Sequence, residues 1–237
     1  MEKGLTGFQL KLIAVTAMLI DHIAWAFVPL ETGLGQIMHF VGRITAPTMC
    51  FFIAEGYRHT RSLPRYVLRL ALFALISQIP FTYYDYGRAA FFPLNVIYTL
   101  ILGLLAIHCY AAIPQESMRW TAITLLILLS IPADWNMFGV LLCLGFYVLR
   151  DNWMRLAGFL VGLTLVLAAW LIAAELTAGY DFTTALRRNW FHLGILLNLL
   201  LLPRYNGLRG GGRWTRWLFY VFYPMHLAVI GLLRWRS

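Results

Sequence analysis

Asp21 and His22 stand side by side in the middle of an unbroken apolar run from Leu12 to Leu30. At 1.5 Å per helical residue the pair lies ~15 Å from either end of that run. A carboxylate at the centre of a bilayer costs ~2.5–3.5 kcal/mol on translocon scales, so its presence there marks a functional site rather than an anchor. Adjacent residues on a helix diverge by ~100°, which keeps Asp21 from orienting His22 within one regular helix. Arg43, in the next apolar run, is the expected partner of Asp21. The two then form a buried brace, and His22 is left as the chemical group, an imidazole able to take a proton.

The elements that must position these residues are transmembrane helices. The chain is 61% hydrophobic and 12% charged over 237 residues, with a mean hydropathy of +0.72. That composition describes an all-α polytopic membrane protein with little soluble mass. Nine apolar stretches are candidate spans: Leu12–Leu30, Ile37–Ala54, Tyr66–Phe81, Phe92–Ile113, Trp120–Ala133, Trp135–Leu149, Leu156–Ala174, Trp190–Leu202 and Trp214–Leu233. The fifth, sixth and eighth are short. Ile131 to Trp135 leaves almost no loop between the fifth and sixth, so short tilted helices and a re-entrant hairpin both fit. No internal repeat is visible, and residues 1–237 read as a single domain with an internal polar cavity.

Orientation follows from the basic residues. With the N-terminus in the cytoplasm, Lys3, Lys11, Arg58, Arg61, Arg65, Arg69, Arg119, Arg150, Arg155, Arg204, Arg209, Arg213 and Arg216 face inward. Only Arg88, Arg187, Arg188, Arg234 and Arg236 face outward. The net charge of +9 is therefore mostly a topology signal, and nucleic acid is not an expected partner, since no soluble domain presents a basic face. Cys50, Cys109 and Cys143 all lie in apolar runs without ligand-like spacing, and no two histidines are four apart on a helix. A metal site is not expected.

On this topology Asp21, His22, Arg43, Asn95 and His226 sit at similar depth. Thr99 lies one turn beyond Asn95, and Glu55 is at the cytoplasmic end of the second span. His39 and His192 read as interhelical hydrogen-bonding groups. Lys11 and His22 are eleven residues apart, which returns them to within ~20° of one helical face, ~16.5 Å apart along the axis. A cation at the cytoplasmic mouth in line with a mid-membrane imidazole suits a long ligand with phosphates at one end and a reactive group at the other. Coenzyme A thioesters have that shape. Arg58, His59, Arg61, Arg65 and Arg69 after the second span, and Arg204, Arg209, Arg213 and Arg216 around the glycines of the last loop, are placed to hold the phosphates.

Six segments carry a family resemblance: Lys11 to His22, Gly42 to Pro47, Glu55-Gly-Tyr-Arg-His-Thr-Arg61, Asn95 to Thr99, Tyr205-Asn-Gly207 and Phe222-Tyr-Pro-Met-His-Leu227. In this order, from Lys11 to Leu227, the chain resembles the TraX family of F-pilin acetylase-like proteins. More distantly it is similar to the transmembrane acyltransferases, which carry an arginine, ten residues and a histidine in an early helix. Lys11 stands in place of that arginine, keeping the charge and losing the bidentate contact.

The resemblance implies a multi-pass protein of the bacterial inner membrane with acetyl-CoA as donor. The acetyl group passes to an amine or hydroxyl of a pilin peptide, glycan or lipid. His22, Asp21, Arg43 and His226 are the expected catalytic set. Lys11, Arg58, Arg61, Arg65, Asn95, Thr99, Asn206 and Arg209 are the expected cofactor-binding set. Two readings compete. A proton-coupled transporter would use the same buried Asp, His and Arg as a relay, and a non-catalytic assembly factor for a surface appendage would not need His22.

Overall fold

A computed structural model describes residues 4–212 and 215–236. Lys3, Arg213, Trp214 and the side chain of Arg216 lie outside the described residues. Each of the nine apolar stretches is helical, and among the described residues the only β pairings are the isolated bridges Leu5–Tyr205 and Leu94–Ala133. Among the described residues five helical stretches are long and apolar enough to cross a membrane: Gly7–Phe27, Gly33–His59, Leu63–Tyr86, Trp153–Thr177 and Trp217–Trp235. Their outer faces are apolar: Leu68, Leu75 and Ile79 on one helix, and Leu165 and Val166 on another, are all exposed. Such surfaces are at home in lipid, where every backbone group must be satisfied within the segment. The chain divides into two compact units, Met1–Thr48 with Ala157–Phe219, and Met49–Leu156 with Tyr220–Ser237.

In the first unit, α1 (Gly7–Phe27) opens with a capping box. The Gln9 amide donates to the Thr6 hydroxyl, and the Thr6 amide donates to Gln9 Oε1 at 2.9 Å. The loop before the last helix adds two more caps, because the Gly7 and Phe8 amides donate to the Leu208 and Arg209 carbonyls at 2.8 and 2.9 Å. Three otherwise orphaned N–H groups of the first turn are thereby satisfied.

The second apolar stretch, expected as one continuous span, is instead two helices, α2 (Gly33–Gly42) and α3 (Thr45–His59), with a turn at Arg43 and Ile44. Pro47 explains the break. It lacks the N–H that would bond the Arg43 carbonyl, and its ring would clash there, so it is tolerated only in the first turn of a new helix. Thr45 then anchors α3, donating its hydroxyl to the Ala14 carbonyl at 2.9 Å.

This unit also holds most of α8 (Trp153–Thr177) and the short α9 (Phe182–Asn189). Asp181 caps α9, and the Thr184 hydroxyl and the Thr183 and Thr184 amides hold its carboxyl below the usual carboxylate range. The eighth stretch departs from expectation. It is a 3-10 helix over Trp190–Leu197, a single α turn α10 (Asn198–Leu201) and a 3-10 turn over Leu202–Arg204. Gly194 fits this segment against α2, since a Cβ there would collide with the Phe40 carbonyl.

The second unit contains α4 (Leu63–Tyr86), α5 (Val96–Ala112), α6 (Glu116–Leu129), α7 (Asn136–Val148) and most of α11 (Thr215–Trp235). The fourth stretch becomes helical only at Val96, four residues later than its apolar character suggested, with Asn95 as the cap. The fifth and sixth are α6 and α7, each about 20 Å long at 1.5 Å per residue and so shorter than a ~30 Å hydrocarbon core. Their tight turn is stitched to the start of α5, Leu94 donating to the Pro132 carbonyl and Asp134 to the Leu94 carbonyl. Gly103 lets α5 lie directly on Cys143 of α7.

Candidate functional site

Asp21 is the centre of the first unit's polar cluster. Its helix α1 presents the carboxylate to α2, where His39 and Arg43 stand four residues apart and therefore on one face. Arg43 Nη2 donates to Asp21 Oδ2 at 2.6 Å, and His39 Nδ1 lies 2.8 Å from Asp21 Oδ1. An ionised carboxylate only accepts, so this geometry puts the His39 proton on Nδ1. One carboxylate thus holds two partners, and its charge is balanced by the Arg43 guanidinium. The pair expected between Asp21 and Arg43 is present, and His39 joins it.

Aromatic rings close around the cluster. The Trp25 indole lies 4.2 Å from the His39 ring and Phe191 lies 5.2 Å from it, while the Arg43 guanidinium sits 5.3 Å over Phe191. His39 has no exposed surface. His22, half-buried beside Asp21, hydrogen-bonds the Met18 carbonyl one turn back and feels the charges of Asp21 and Arg43. His192, carried on the 3-10 segment with its ring tilted against Phe191 at 4.1 Å, feels the same two charges, and its Nδ1 donates to the Asn189 carbonyl at 3.0 Å. One imidazole, that of His39, thus touches the ion pair, and those of His22 and His192 lie within reach of its charges. Among the described residues no three His, Cys, Asp or Glu side chains form a metal-holding group.

The sequence pointed to His22 and passed over His39 and His192. The signal for His39 was legible, because it is one turn from Arg43 and must share its face. His192 lies on a segment expected to be a regular helix, and its 3-10 winding gave no such periodic cue.

The other expected residues of this unit gather at the start of α1. Lys11 lies on the same uninterrupted helix as His22, its ammonium 5.8 Å over the Phe219 ring. Asn206 and Arg209 belong to the loop that pairs with residues 5–8. Asn206 Oδ1 accepts from the Leu208 amide at 3.0 Å, which shapes the loop, and the Arg209 side chain is exposed. The first-turn amides of α1 are already bonded to the loop carbonyls and the Thr6 hydroxyl, so they are not open to a further group.

The second unit holds the remaining six. Arg58 Nη2 donates to the Tyr147 carbonyl at 2.8 Å and its guanidinium covers the Tyr147 ring. Arg61 and Arg65 are exposed. Asn95 is committed to the fold: its amide nitrogen donates to the Ala74 carbonyl and to Gln78 Oε1, both at 2.8 Å, and its Oδ1 accepts from Ile97. Thr99 donates to the Asp134 carbonyl at 2.6 Å. His226 is buried, stacked 4.8 Å from Phe222, with Nδ1 donating to the Phe222 carbonyl at 2.8 Å. Buried Glu55 pairs with Arg150 at 3.0 Å.

Comparison with known proteins gives two matches. The family model described as TraX protein matches residues 6–234. A protein of Dichelobacter nodosus described as "Probable fimbrial assembly protein FimC, serogroup H1" is 33% identical over 235 residues, covering 95% of this chain and 94% of that protein. No solved structure matches.

Proposed function

The chain belongs to the TraX family, and from that premise we propose that it is a pilus-related, multi-pass acetyltransferase of the bacterial inner membrane. It moves an acetyl group from cytosolic acetyl-CoA to an amine or hydroxyl acceptor, a pilin N-terminus in the first instance. One observation carries this reading: His22 stands next to the carboxylate of a buried Asp21–Arg43 pair, on the same helix that begins with Lys11 and the Arg209 loop.

In this reading the coenzyme phosphates meet Lys11, Arg204 and Arg209 by charge, and the pantetheine arm runs along α1 towards His22, ~16.5 Å away. His22 meets the thioester carbonyl. It takes the acetyl group as an acetyl-imidazole, or it accepts a proton while the acceptor attacks directly. The Asp21–Arg43 pair fixes α1 against α2 so that this geometry costs no reorganisation during reaction.

The test is acetyl-CoA binding and coenzyme thiol release by the purified protein in detergent, wild type against His22→Ala. Binding by both with thiol release lost in the variant is the expected result. Absence of binding in both overturns the acetyl-transfer reading and favours proton-coupled transport, which the cluster of imidazoles around Asp21 would equally serve. Binding with undiminished turnover in His22→Ala removes His22 from the chemistry.

A further inference from the structure

Two buried acceptor atoms lie one helical turn apart on α2. The first is His39 Nε2. With Nδ1 bound to Asp21, the ring presents Nε2 as a lone pair, and that atom has no hydrogen-bond partner among the described residues. The second is Gln36 Oε1. The Gln36 amide nitrogen donates to the Leu30 carbonyl at 2.9 Å, which fixes the amide and leaves Oε1 likewise without a partner. Both side chains are more than nine-tenths buried, at 0% and 5% exposure. An unmet buried acceptor costs ~1–3 kcal/mol, and two on one face are a feature to be explained.

Residues three apart on a helix share a face and sit ~5–6 Å apart at Cβ, close enough for one small group to reach both. Two acceptors side by side fit a group with two hydrogens on one atom. Water has two as well, but a nitrogen nucleophile carries its hydrogens into the reaction and must lose one. Trp25 lies on the His39 ring at 4.2 Å and is itself 43% exposed, so it stands between that ring and the exterior.

We infer that His39 is the base that takes the proton of the attacking amine, with Asp21 as its orienting carboxylate and Gln36 Oε1 holding a second N–H. This rests on the acetyl-transfer reading and leaves His22 to the acyl group. As the nitrogen lone pair forms the C–N bond at the acetyl carbonyl, one N–H proton passes to His39 Nε2. The C–S bond, or the C–N bond of an acetyl-imidazole, then breaks with its electron pair on the leaving atom. His39 gives up the proton to that atom, so amine and thioester become amide and thiol with no other reactant. Asp21, ionised throughout, stabilises the transient imidazolium.

The experiment measures thiol release from acetyl-CoA with hydroxylamine as acceptor, together with acetyl-CoA binding, on the purified full chain in detergent. His39→Asn keeps a donor for Asp21 and removes Nε2, and Gln36→Met keeps the side-chain length and removes Oε1. The expected result is a loss of about 10²–10⁴-fold in kcat for His39→Asn, with acetyl-CoA binding unchanged. Gln36→Met is expected to raise KM for hydroxylamine with a smaller effect on kcat. Wild-type turnover with His39→Asn active to within about threefold overturns the assignment and leaves acetyl transfer standing. A wild type that releases no thiol overturns acetyl transfer itself. Should His39→Asn not yield monodisperse protein, unchanged hydroxylamine kinetics in Gln36→Met overturn the assignment.

Discussion

Gly42 lies directly against Asp21: a Cβ at residue 42 would stand 2.5 Å from Asp21 Cγ and Oδ1. The glycine is helical and its φ is ordinary, so its role is the close approach rather than backbone freedom. Gly42→Ala must push α2 from α1 at the point where the carboxylate is held. Overpacking of this kind costs ~1–3 kcal/mol, and here it also separates Asp21 from His39 and Arg43. A lowered midpoint of thermal unfolding in detergent, together with lost thiol release, is the expected outcome. An unchanged midpoint would show that α1 and α2 are not locked at this contact.

The Asp21–Arg43 pair makes a prediction through its failure. Asp21→Asn strands the half-buried Arg43 cation, and Arg43→Met strands the buried carboxylate, each at a cost of ~3–5 kcal/mol. The double variant Asp21→Asn with Arg43→Met leaves no buried charge and recovers most of that loss, since a buried pair is worth little net against neutral groups. Thermal unfolding of the four proteins closes the cycle. Additive losses in the double variant would mean that the two side chains act independently, against the 2.6 Å contact.

Asp181 supplies a pH dependence outside the spans. Its carboxyl titrates below the usual range because the Thr184 hydroxyl and the Thr183 and Thr184 amides bond the ionised form. A depressed folded value stabilises α9 above the unfolded carboxylate pKa of ~3.9, and the contribution is lost as pH falls through the still lower folded value. The protection of the Thr183 and Thr184 amides against hydrogen exchange, taken relative to the intrinsic rate at each pH, is expected to fall over that acid window. In Asp181→Asn the cap persists and the window vanishes. Protection that stays constant on acidification of the wild type would show that the carboxylate does not hold the cap.

The legible part of this molecule is what lipid dictates. Nine apolar stretches had to be helical, and each is. The interruption at Arg43 was also written in the chain, because Pro47 denies that carbonyl its helical partner, but hydropathy averages over a proline and reports one span. The 3-10 winding of Trp190–Leu197 escapes for a different reason. It is shaped by contact, Gly194 meeting the Phe40 carbonyl across a long sequence separation. The site follows the same division. Asp21 and Arg43 betray each other because each buried charge needs its opposite, and His39 is legible beside them by its one-turn spacing from Arg43, while its packing against Trp25 and Phe191 is tertiary and is not. Asn95, expected by depth in the cofactor-binding set, is also the cap of α5, a role that its place in an apolar stretch did not announce.

Lys11 divides binding from chemistry. Its ammonium stands over Phe219 near the Arg209 loop, a turn from the capped start of α1, and His22 lies three turns further on. A phosphate met by Lys11 is held equally in ground and transition states, so the contact lowers KM without touching kcat. Lys11→Ala is expected to raise KM for acetyl-CoA about tenfold at near-constant kcat, and Lys11→Arg to match or improve on wild type through a bidentate contact. Steady-state kinetics of thiol release against acetyl-CoA concentration separates the two constants. A fall in kcat with unchanged KM would move Lys11 from the phosphates to the reacting end, and the alignment of donor along α1 would have to be reversed.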